Sequence, residues 1–218
     1  MKFAMMFPGQ GSQSVGMLAE LAASDAVVGE TFAEASAALG YDLWQLCQQG
    51  PEERLAETER TQPAMLAAGV AVWRAWQQRG GTLPATLAGH SLGEYSALVC
   101  GGAIGFGDAV RLVQFRGQAM QRAVPAGSGA MAAILGLEDQ LVETLCRRIL
   151  NVWPANYNCP GQIVISGEND AVEECCAEAE SLGARRAVRL KVSGAFHSPL
   201  VARAADRLRP CVRADAPR

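Results

Sequence analysis

Gly89-His90-Ser91-Leu92-Gly93 is the stretch of sequence from which the fold can be inferred. The short apolar run 86–88 precedes it, and the helix-prone run 94–100 follows it. Strand, tight turn and helix are therefore expected in that order, with glycines that let the strand and the helix approach closely. Such a turn exposes the serine hydroxyl next to free backbone N–H groups at the start of the helix. We predict that Ser91 is a nucleophile.

The composition is that of a soluble globular enzyme. Of the 218 residues, 50% are hydrophobic and 19% are charged, which is ordinary for such proteins. A net charge of −3 gives no reason to expect nucleic acid or an anionic membrane as a partner. Neither a signal-peptide core nor a run of about 20 apolar residues is present. Seven cysteines without a C-x-x-C pair, and only two histidines, argue against a metal site and for reduced thiols in the cytoplasm.

The chain before the serine turn reads as one strand followed by helices. Residues 3–7 form an apolar run that ends in the glycine-rich loop 8–13. This loop lacks the lysine and the spacing of nucleotide-binding motifs, but its position after a strand favours a ligand-facing role for Gln10. Residues 15–79 are helix-prone, and we expect Thr61-Gln62-Pro63 to begin a helix over 64–78.

The chain after the turn first continues as a helix and then changes character. Asp108 is expected to cap a helix over 109–123. Residues 130–192 then read as strand, helix, strand, strand, helix and strand, which is the order of a ferredoxin-like unit. We therefore predict an α/β fold, with a hydrolase-like parallel-sheet core and an inserted ferredoxin-like (βαββαβ) small subdomain. The expected boundaries are 1–127 for the first part of the core, 128–192 for the subdomain and 193–218 for the return to the core.

A serine nucleophile needs a base near neutral pH, and the chain offers His90 and His197. His90 precedes Ser91 on the same turn, so its side chain should diverge from that of the serine. His197 lies late in the chain, where hydrolase-type folds supply their histidine. We predict His197 as the base and a structural or pocket-wall role for His90. Since no acid stands out as a third member, a serine–histidine dyad is the simpler proposal.

Arg116 lies close to the apolar face of the predicted helix. An arginine in that position either extends its head group to water or pairs with a carboxylate of the protein. Beside a catalytic serine it would instead hold a carboxylate of the substrate. The spacing alone leaves these alternatives open.

Five segments, in order and at matching spacing, resemble the malonyl-CoA:acyl-carrier-protein transacylases of fatty-acid synthesis, which are related to polyketide synthase acyltransferase domains. The segments are Phe7-Pro8-Gly9-Gln10-Gly11-Ser12-Gln13, Thr61-Gln62-Pro63-Ala64, Gly89-His90-Ser91-Leu92-Gly93-Glu94-Tyr95, Arg116-Gly117 and Phe196-His197-Ser198. The resemblance covers essentially the whole chain. It implies a ping-pong transfer in which Ser91, activated by His197, takes a malonyl group from coenzyme A and passes it to the phosphopantetheine thiol of acyl carrier protein.

The resemblance also implies roles for further residues. Backbone N–H groups of Gln10 and Leu92 would hold the oxyanion, and Arg116 would bind the malonyl carboxylate. His90 and Phe196 would border the substrate, and bulk at Phe196 would crowd an α-methyl group. A basic pair on the insert, Arg185 and Arg186, would dock the acidic carrier protein. Malonyl-CoA enters as a substrate, and no cofactor or metal is expected.

Members of that family are longer, so this chain is expected to lack their C-terminal third. The missing part would add a strand and helices to the core. Two alternatives to an active malonyl transferase remain open. One is a serine esterase or thioesterase that uses the same turn, and the other is a non-catalytic remnant that still binds carrier protein.

Overall fold

The computed structural model describes residues 2–125, 127–192 and 194–214. The chain divides into two compact units. The first comprises the described residues of 1–118 and 208–218, and the second comprises the described residues of 119–207. The domain boundaries inferred from the sequence, at 127/128 and 192/193, follow the change of secondary-structure pattern and stay a prediction.

Two parallel strands carry the glycine-rich loop and the serine turn of the first unit. Strand β1 spans Ala4–Phe7 and strand β2 spans Thr86–Gly89, with Phe7 opposite Gly89. Parallel strands end at the same edge of a sheet, so the segments that follow Phe7 and Gly89 leave from the same edge. This pairing confirms the predicted parallel core.

Helices make up most of the first unit. They are α1 (Ala19–Ser24), α2 (Ala26–Leu39), α3 (Leu43–Gln49), α4 (Glu52–Leu55), α5 (Thr58–Gln78), α6 (Gly93–Cys100) and α7 (Phe106–Ala123). Residues from α2, α3, α5, α6 and α7 contribute to one buried apolar cluster, and Val28, Phe32 and Leu66 have no exposed surface. Burial of these side chains, at about 25 cal/mol per Å² of apolar surface, is the main stabilising contribution to this unit.

Two predicted helix starts are wrong. Helix α5 begins at Thr58 rather than after Pro63, which lies inside it. The proline removes one intrahelical hydrogen bond, but the residues around it are buried and their packing extends the helix towards its N-terminus. Helix α7 begins at Phe106, so Asp108 lies in its first turn and is not the cap. The Asp108 carboxylate pairs instead with Arg111 on the next turn.

The second unit contains the predicted βαββαβ arrangement. Its elements are β3 (Gly129–Leu135), α8 (Asp139–Arg148), β4 (Val152–Cys159), β5 (Gln162–Glu168), α9 (Asn169–Ser181) and β6 (Arg186–Arg189). The four strands form an antiparallel sheet in the order β4-β5-β3-β6. Helices α8 and α9 bury their apolar side chains, among them Val142, Leu145 and Cys175, with those of the sheet. The ferredoxin-like prediction is confirmed.

The chain after β6 passes through a short 3₁₀ turn, Pro199–Val201, into helix α10 (Ala202–Ala214). Helix α10 continues through Pro210, because an internal proline costs a helix one hydrogen bond without preventing helical dihedral angles in the residues that follow.

Candidate active site

Ser91 occupies a strained corner between β2 and α6. Its φ is 53°, a left-handed value that costs a residue other than glycine about 1–3 kcal/mol and is concentrated at functional sites. Among the described residues, the non-glycine residues with positive φ are Leu18, Ser91, Asn151 and His197. Both predicted catalytic residues therefore stand in this small group, an observation that the sequence motif alone did not provide.

The glycines of the turn allow the close approach that the motif predicts. A Cβ added to Gly89 would overlap with the backbone of Gly93, and one added to Gly93 would overlap with the carbonyl group of Phe7. The N–H of His90 donates to the carbonyl oxygen of Phe7 over 3.0 Å. Strand β1, the turn and the start of α6 are therefore packed backbone to backbone, which fixes the position of Ser91.

His90 has an exposed side chain and lies next to the glycine-rich loop. A Cβ added to Gly9 would come within 2.8 Å of the carbonyl oxygen of His90 and 3.0 Å of its Nδ1. The loop after β1 thus passes directly against the serine turn, and only glycine fits at position 9 without a shift.

The predicted oxyanion donors belong to these two segments. Leu92 is the N-cap of α6 and is buried, with 1% of its surface exposed. Gln10 follows Gly9 in the loop, and its side-chain Nε2 donates to Oγ1 of Thr58 over 3.3 Å. Among the backbone hydrogen bonds of the described residues, neither Gln10 nor Leu92 donates its N–H to a carbonyl oxygen. Both groups are therefore available to an anionic ligand.

Arg116 reaches the serine from helix α7. Its Nη2 donates to Oγ of Ser91 over 3.1 Å, and its Nη1 donates to Oε1 of Gln62 over 2.8 Å. The guanidinium carbon lies 5.6 Å from the ring centre of Tyr95, within the range of a cation–π interaction. Burial lowers the pKa of Arg116 below its usual value, although an arginine remains charged at neutral pH. The structure therefore places a partly buried cation beside the predicted nucleophile.

Sequence reasoning missed Gln62 and Tyr95 as members of this site. Both residues were noted in the segments that carry the family resemblance, but neither was given a role at the site. Gln62 lies inside α5 with 1% of its surface exposed. A glutamine directly before the apolar residues 63–68 was the available signal, because a buried amide requires hydrogen-bond partners. Tyr95 follows Ser91 by four positions, which is about one helical turn.

His197 and Phe196 belong to the second unit. His197 has an exposed side chain and a φ of 58°. Phe196 is 4% exposed and packs in an apolar cluster with Met120, Met131 and Val164. A buried Phe196 anchors the segment that carries His197, so the histidine is held by tertiary packing.

Arg185 and Arg186 also lie in the second unit, and both side chains are exposed. Arg186 begins β6 opposite Leu135, and the N–H of Arg185 donates to the carbonyl oxygen of Leu135 over 2.8 Å. The backbone of the pair is fixed by the sheet while the charged ends face water, as a docking pair requires. The structure thus brings together Ser91 and Arg116 in one unit and presents Arg185 and Arg186 together on the other.

Comparison with known proteins establishes the family. The family model of the acyl transferase domain matches residues 4–218. The chain belongs to this family. Among curated relatives, the malonyl CoA-acyl carrier protein transacylase of Salmonella typhimurium is 59% identical over 210 residues, which are 95% of this chain and 68% of that protein. The transacylase of the same name from Bacillus subtilis is 46% identical over 212 residues, 95% of this chain and 67% of that protein.

Solved structures give the same result for this acyl transferase. The acyl carrier protein S-malonyltransferase of Vibrio cholerae is 57% identical, with a TM-score of 0.95 over 99% of this chain and 72% of that one. A malonyl-transacylase in complex with its type II polyketide synthase acyl-carrier protein is 53% identical, with a TM-score of 0.97 over 99% of this chain and 71% of that one. The family resemblance and the fold class predicted from the sequence are confirmed. The chain spans about two thirds of its relatives' length.

Among the described residues, no helix combines the length and the apolar character that crossing a bilayer demands.

Proposed function

We propose that this chain transfers a malonyl group from coenzyme A to the phosphopantetheine thiol of acyl carrier protein, through a malonyl ester of Ser91. The observation that carries the proposal is the hydrogen bond of 3.1 Å between Nη2 of Arg116 and Oγ of Ser91. Its relatives are named as malonyl transacylases of acyl carrier protein, and such enzymes supply fatty-acid synthesis. The enzyme is accordingly an acyl-carrier-protein S-malonyltransferase.

The position of Arg116 suits a short acyl group that ends in a carboxylate. In a malonyl ester, two carbon–carbon bonds of about 1.5 Å each separate the ester carbonyl carbon from the carboxylate carbon. A guanidinium already in contact with Oγ of Ser91 therefore needs only a small side-chain movement to hold that carboxylate through two parallel hydrogen bonds. A longer diacid would have to fold back to make the same contact.

The first half-reaction forms the acyl-enzyme. His197 removes the hydroxyl proton of Ser91, and the serine oxygen attacks the thioester carbonyl carbon of malonyl-CoA. The N–H groups of Gln10 and Leu92 stabilise the oxyanion of the tetrahedral intermediate. Its collapse breaks the carbon–sulfur bond, and the departing thiolate takes the proton from His197. The roles of His197 and of the oxyanion donors rest on the family resemblance and on the strained or available backbone at these positions.

The second half-reaction repeats these steps in reverse with the carrier protein. Its phosphopantetheine thiol gives a proton to His197 and attacks the carbonyl carbon of the malonyl ester. The carbon–oxygen bond to Ser91 then breaks, and the serine oxygen takes the proton back from His197. Arg185 and Arg186 attract the acidic carrier protein, and Phe196 and His90 border the acyl group. The reaction needs no cofactor beyond malonyl-CoA and the carrier protein. A cytoplasmic location agrees with the free cysteines of the described residues. All these assignments remain part of the proposal.

A hydrolase of neutral esters is the less favoured alternative. Such an enzyme has no use for a cation beside its nucleophile, and a buried charge without a partner is costly. A non-catalytic remnant would retain carrier-protein binding without acylation of the serine. The names of the relatives favour the transferase over both alternatives.

Intact-protein mass spectrometry after incubation with malonyl-CoA tests the proposal directly. We expect a malonyl mass increment on the 218-residue chain and none on Ser91→Ala. Transfer of the label to added holo carrier protein should then restore the original mass. A folded chain that gains no increment, or a Ser91→Ala chain that gains the same one, would contradict the proposal.

A further inference from the structure

Arg116 is held by a neutral group. Its Nη1 donates to Oε1 of Gln62 over 2.8 Å, and Gln62, which lies on helix α5, is buried. The guanidinium also contacts the hydroxyl of Ser91 and the ring of Tyr95, which are uncharged, while the Glu94 carboxylate acts on it only through a longer-range electrostatic attraction. Within the first unit as described, no carboxylate forms an ion pair with Arg116.

Other arginines of the same unit behave differently. Arg74 pairs with Glu34 over 2.8 Å, and Arg79 pairs with Asp25 over 3.2 Å. Both of these ion pairs are accessible to solvent, where such a pair contributes little to stability. A buried cation normally needs a carboxylate more than an exposed one does. Arg116 is partly buried and, among the described residues of its unit, has no carboxylate in direct contact, which is not the arrangement that stability alone would favour.

The contact between helices α5 and α7 fixes this arrangement. Gly117 follows Arg116, and a Cβ added to it would lie 2.6 Å from Cα of Glu59 and 2.7 Å from the carbonyl oxygen of Thr58. Thr58 and Gln62 are four residues apart and so lie on the same face of α5. The close approach at Gly117 therefore presents the Gln62 amide to Arg116 at a defined position.

We propose that Gln62 is a positioning residue that sets the preference for an acidic acyl group, because its amide orients the Arg116 guanidinium without neutralising it. The inference rests on the proposed function. A carboxylate at position 62 would have nearly the same shape as the amide and would orient the guanidinium equally well. It would also form an ion pair with Arg116, so an incoming malonyl carboxylate would meet a neutral pair instead of a free positive charge.

Gln62→Glu tests this inference through the ratio of two rates. Acylation of Ser91 is followed by mass spectrometry in single turnovers with malonyl-CoA and, separately, with acetyl-CoA. Because a hydrogen-bonded charge pair is lost, we expect kcat/KM for malonyl-CoA to fall about 10- to 100-fold, with the value for acetyl-CoA within about 3-fold of the parent. Gln77→Glu, which adds the same charge at an exposed position of α5, should leave both rates unchanged.

Gln62→Met supplies a second variant of similar volume that removes the acceptor and keeps the charge of Arg116 uncompensated. Gln62→Met should raise KM for malonyl-CoA, but malonyl-CoA should remain preferred over acetyl-CoA. This variant tests the positioning role if Gln62→Glu does not fold. Equal losses for the two thioesters in the folded variants, or no loss at all, would overturn the positioning role. Failure of the proposed function would show separately, as a parent chain that malonyl-CoA does not acylate.

Discussion

Nη2 of Arg116 donates a hydrogen bond to Oγ of Ser91 over 3.1 Å, although 25 positions separate the two residues in the chain. The contact joins a side chain of helix α7 to the corner between strand β2 and helix α6. On the proposed function, Arg116 therefore lies where the acyl group would be attached. The residue proposed to recognise the acyl group would then contact the oxygen atom proposed to react.

Arg116→Ala should separate acidic from neutral acyl groups. Removing the guanidinium deletes a charge-assisted hydrogen bond to the malonyl carboxylate, which is worth about 1.5–3 kcal/mol, or about 10- to 150-fold in kcat/KM. The rate with acetyl-CoA should change much less. Steady-state transfer measured with both thioesters checks this expectation. Arg111→Ala, an exposed position on the same helix, is the control, and equal losses with both thioesters would contradict the carboxylate role.

Gly117→Ala should destabilise the chain. The new methyl group would meet the backbone of Glu59 and Thr58 at 2.6–2.9 Å, and forcing two helices apart in this way costs about 1–3 kcal/mol. Urea unfolding followed by circular dichroism measures the loss. Gly107→Ala is the matched control on the same helix, because only an arginine side-chain atom at 3.8 Å lies near that Cβ. The control should be neutral or slightly stabilising, and a similar loss in both variants would exclude the close approach as the cause.

Replacing Ser91 should reveal the strain of its backbone. At a φ of 53°, glycine is favoured over alanine by about 1–2 kcal/mol, so Ser91→Gly should unfold at higher urea concentration than Ser91→Ala. Neither variant should gain a malonyl group. Ser96, inside helix α6, provides the control with the opposite order, because alanine is favoured over glycine by about 1 kcal/mol in a helix. The same order at both positions would argue that Ser91 is not strained.

His197→Ala should slow acylation and leave the fold intact. A positioned general base contributes about 10²- to 10⁴-fold, so single-turnover acylation by malonyl-CoA should fall within that range while the urea midpoint changes little, since the side chain is exposed. His90→Ala serves as the comparison. An unchanged rate in His197→Ala, together with a large loss in His90→Ala, would transfer the role of base to His90.

Arg185 and Arg186 should act only in the second half-reaction. Replacing both with alanine removes two exposed positive charges and should raise KM for carrier protein several-fold, because complementary charge accelerates encounter. Malonylation of Ser91 by malonyl-CoA should stay at the parental rate. The effect should shrink at high salt, which screens exposed charges. The charge-matched replacement of Arg147 and Arg148 on helix α8 is the control, and equal effects of both pairs would argue against a local docking site.

Local patterns predicted much of the fold, because they act over a few residues. The strand–turn–helix around Ser91 and the βαββαβ order of 129–189 both follow from hydrophobic periodicity and glycine positions. The start of α5 did not follow from such a pattern. Pro63 is typical of a first helical turn, whereas the observed start at Thr58 depends on burial of Thr58 and of residues 61–68 by the rest of the unit.

The site was predicted less completely for a related reason. Ser91 and His197 were predicted from a local motif and from the position of a rare residue type, and their catalytic roles stay predictions. The contact between Arg116 and Gln62 spans 54 positions and requires two helices to meet at Gly117, so no local pattern contains it. Likewise, the left-handed backbone of Ser91 and His197 is visible only in three dimensions.

The pairing of β1 with β2 also restricts how the length of the chain can vary. Phe7 lies opposite Gly89. The number of residues between Phe7 and Gln10 therefore determines how the loop is placed relative to the serine turn. One residue inserted into β1 would advance the following loop by about 3.3 Å and turn each side chain of the strand to the opposite face. Phe7, which is buried, would then leave the core, and the loop that carries Gln10 would shift relative to the serine turn. In strand β1, a substitution is therefore easier to accommodate than an insertion or a deletion.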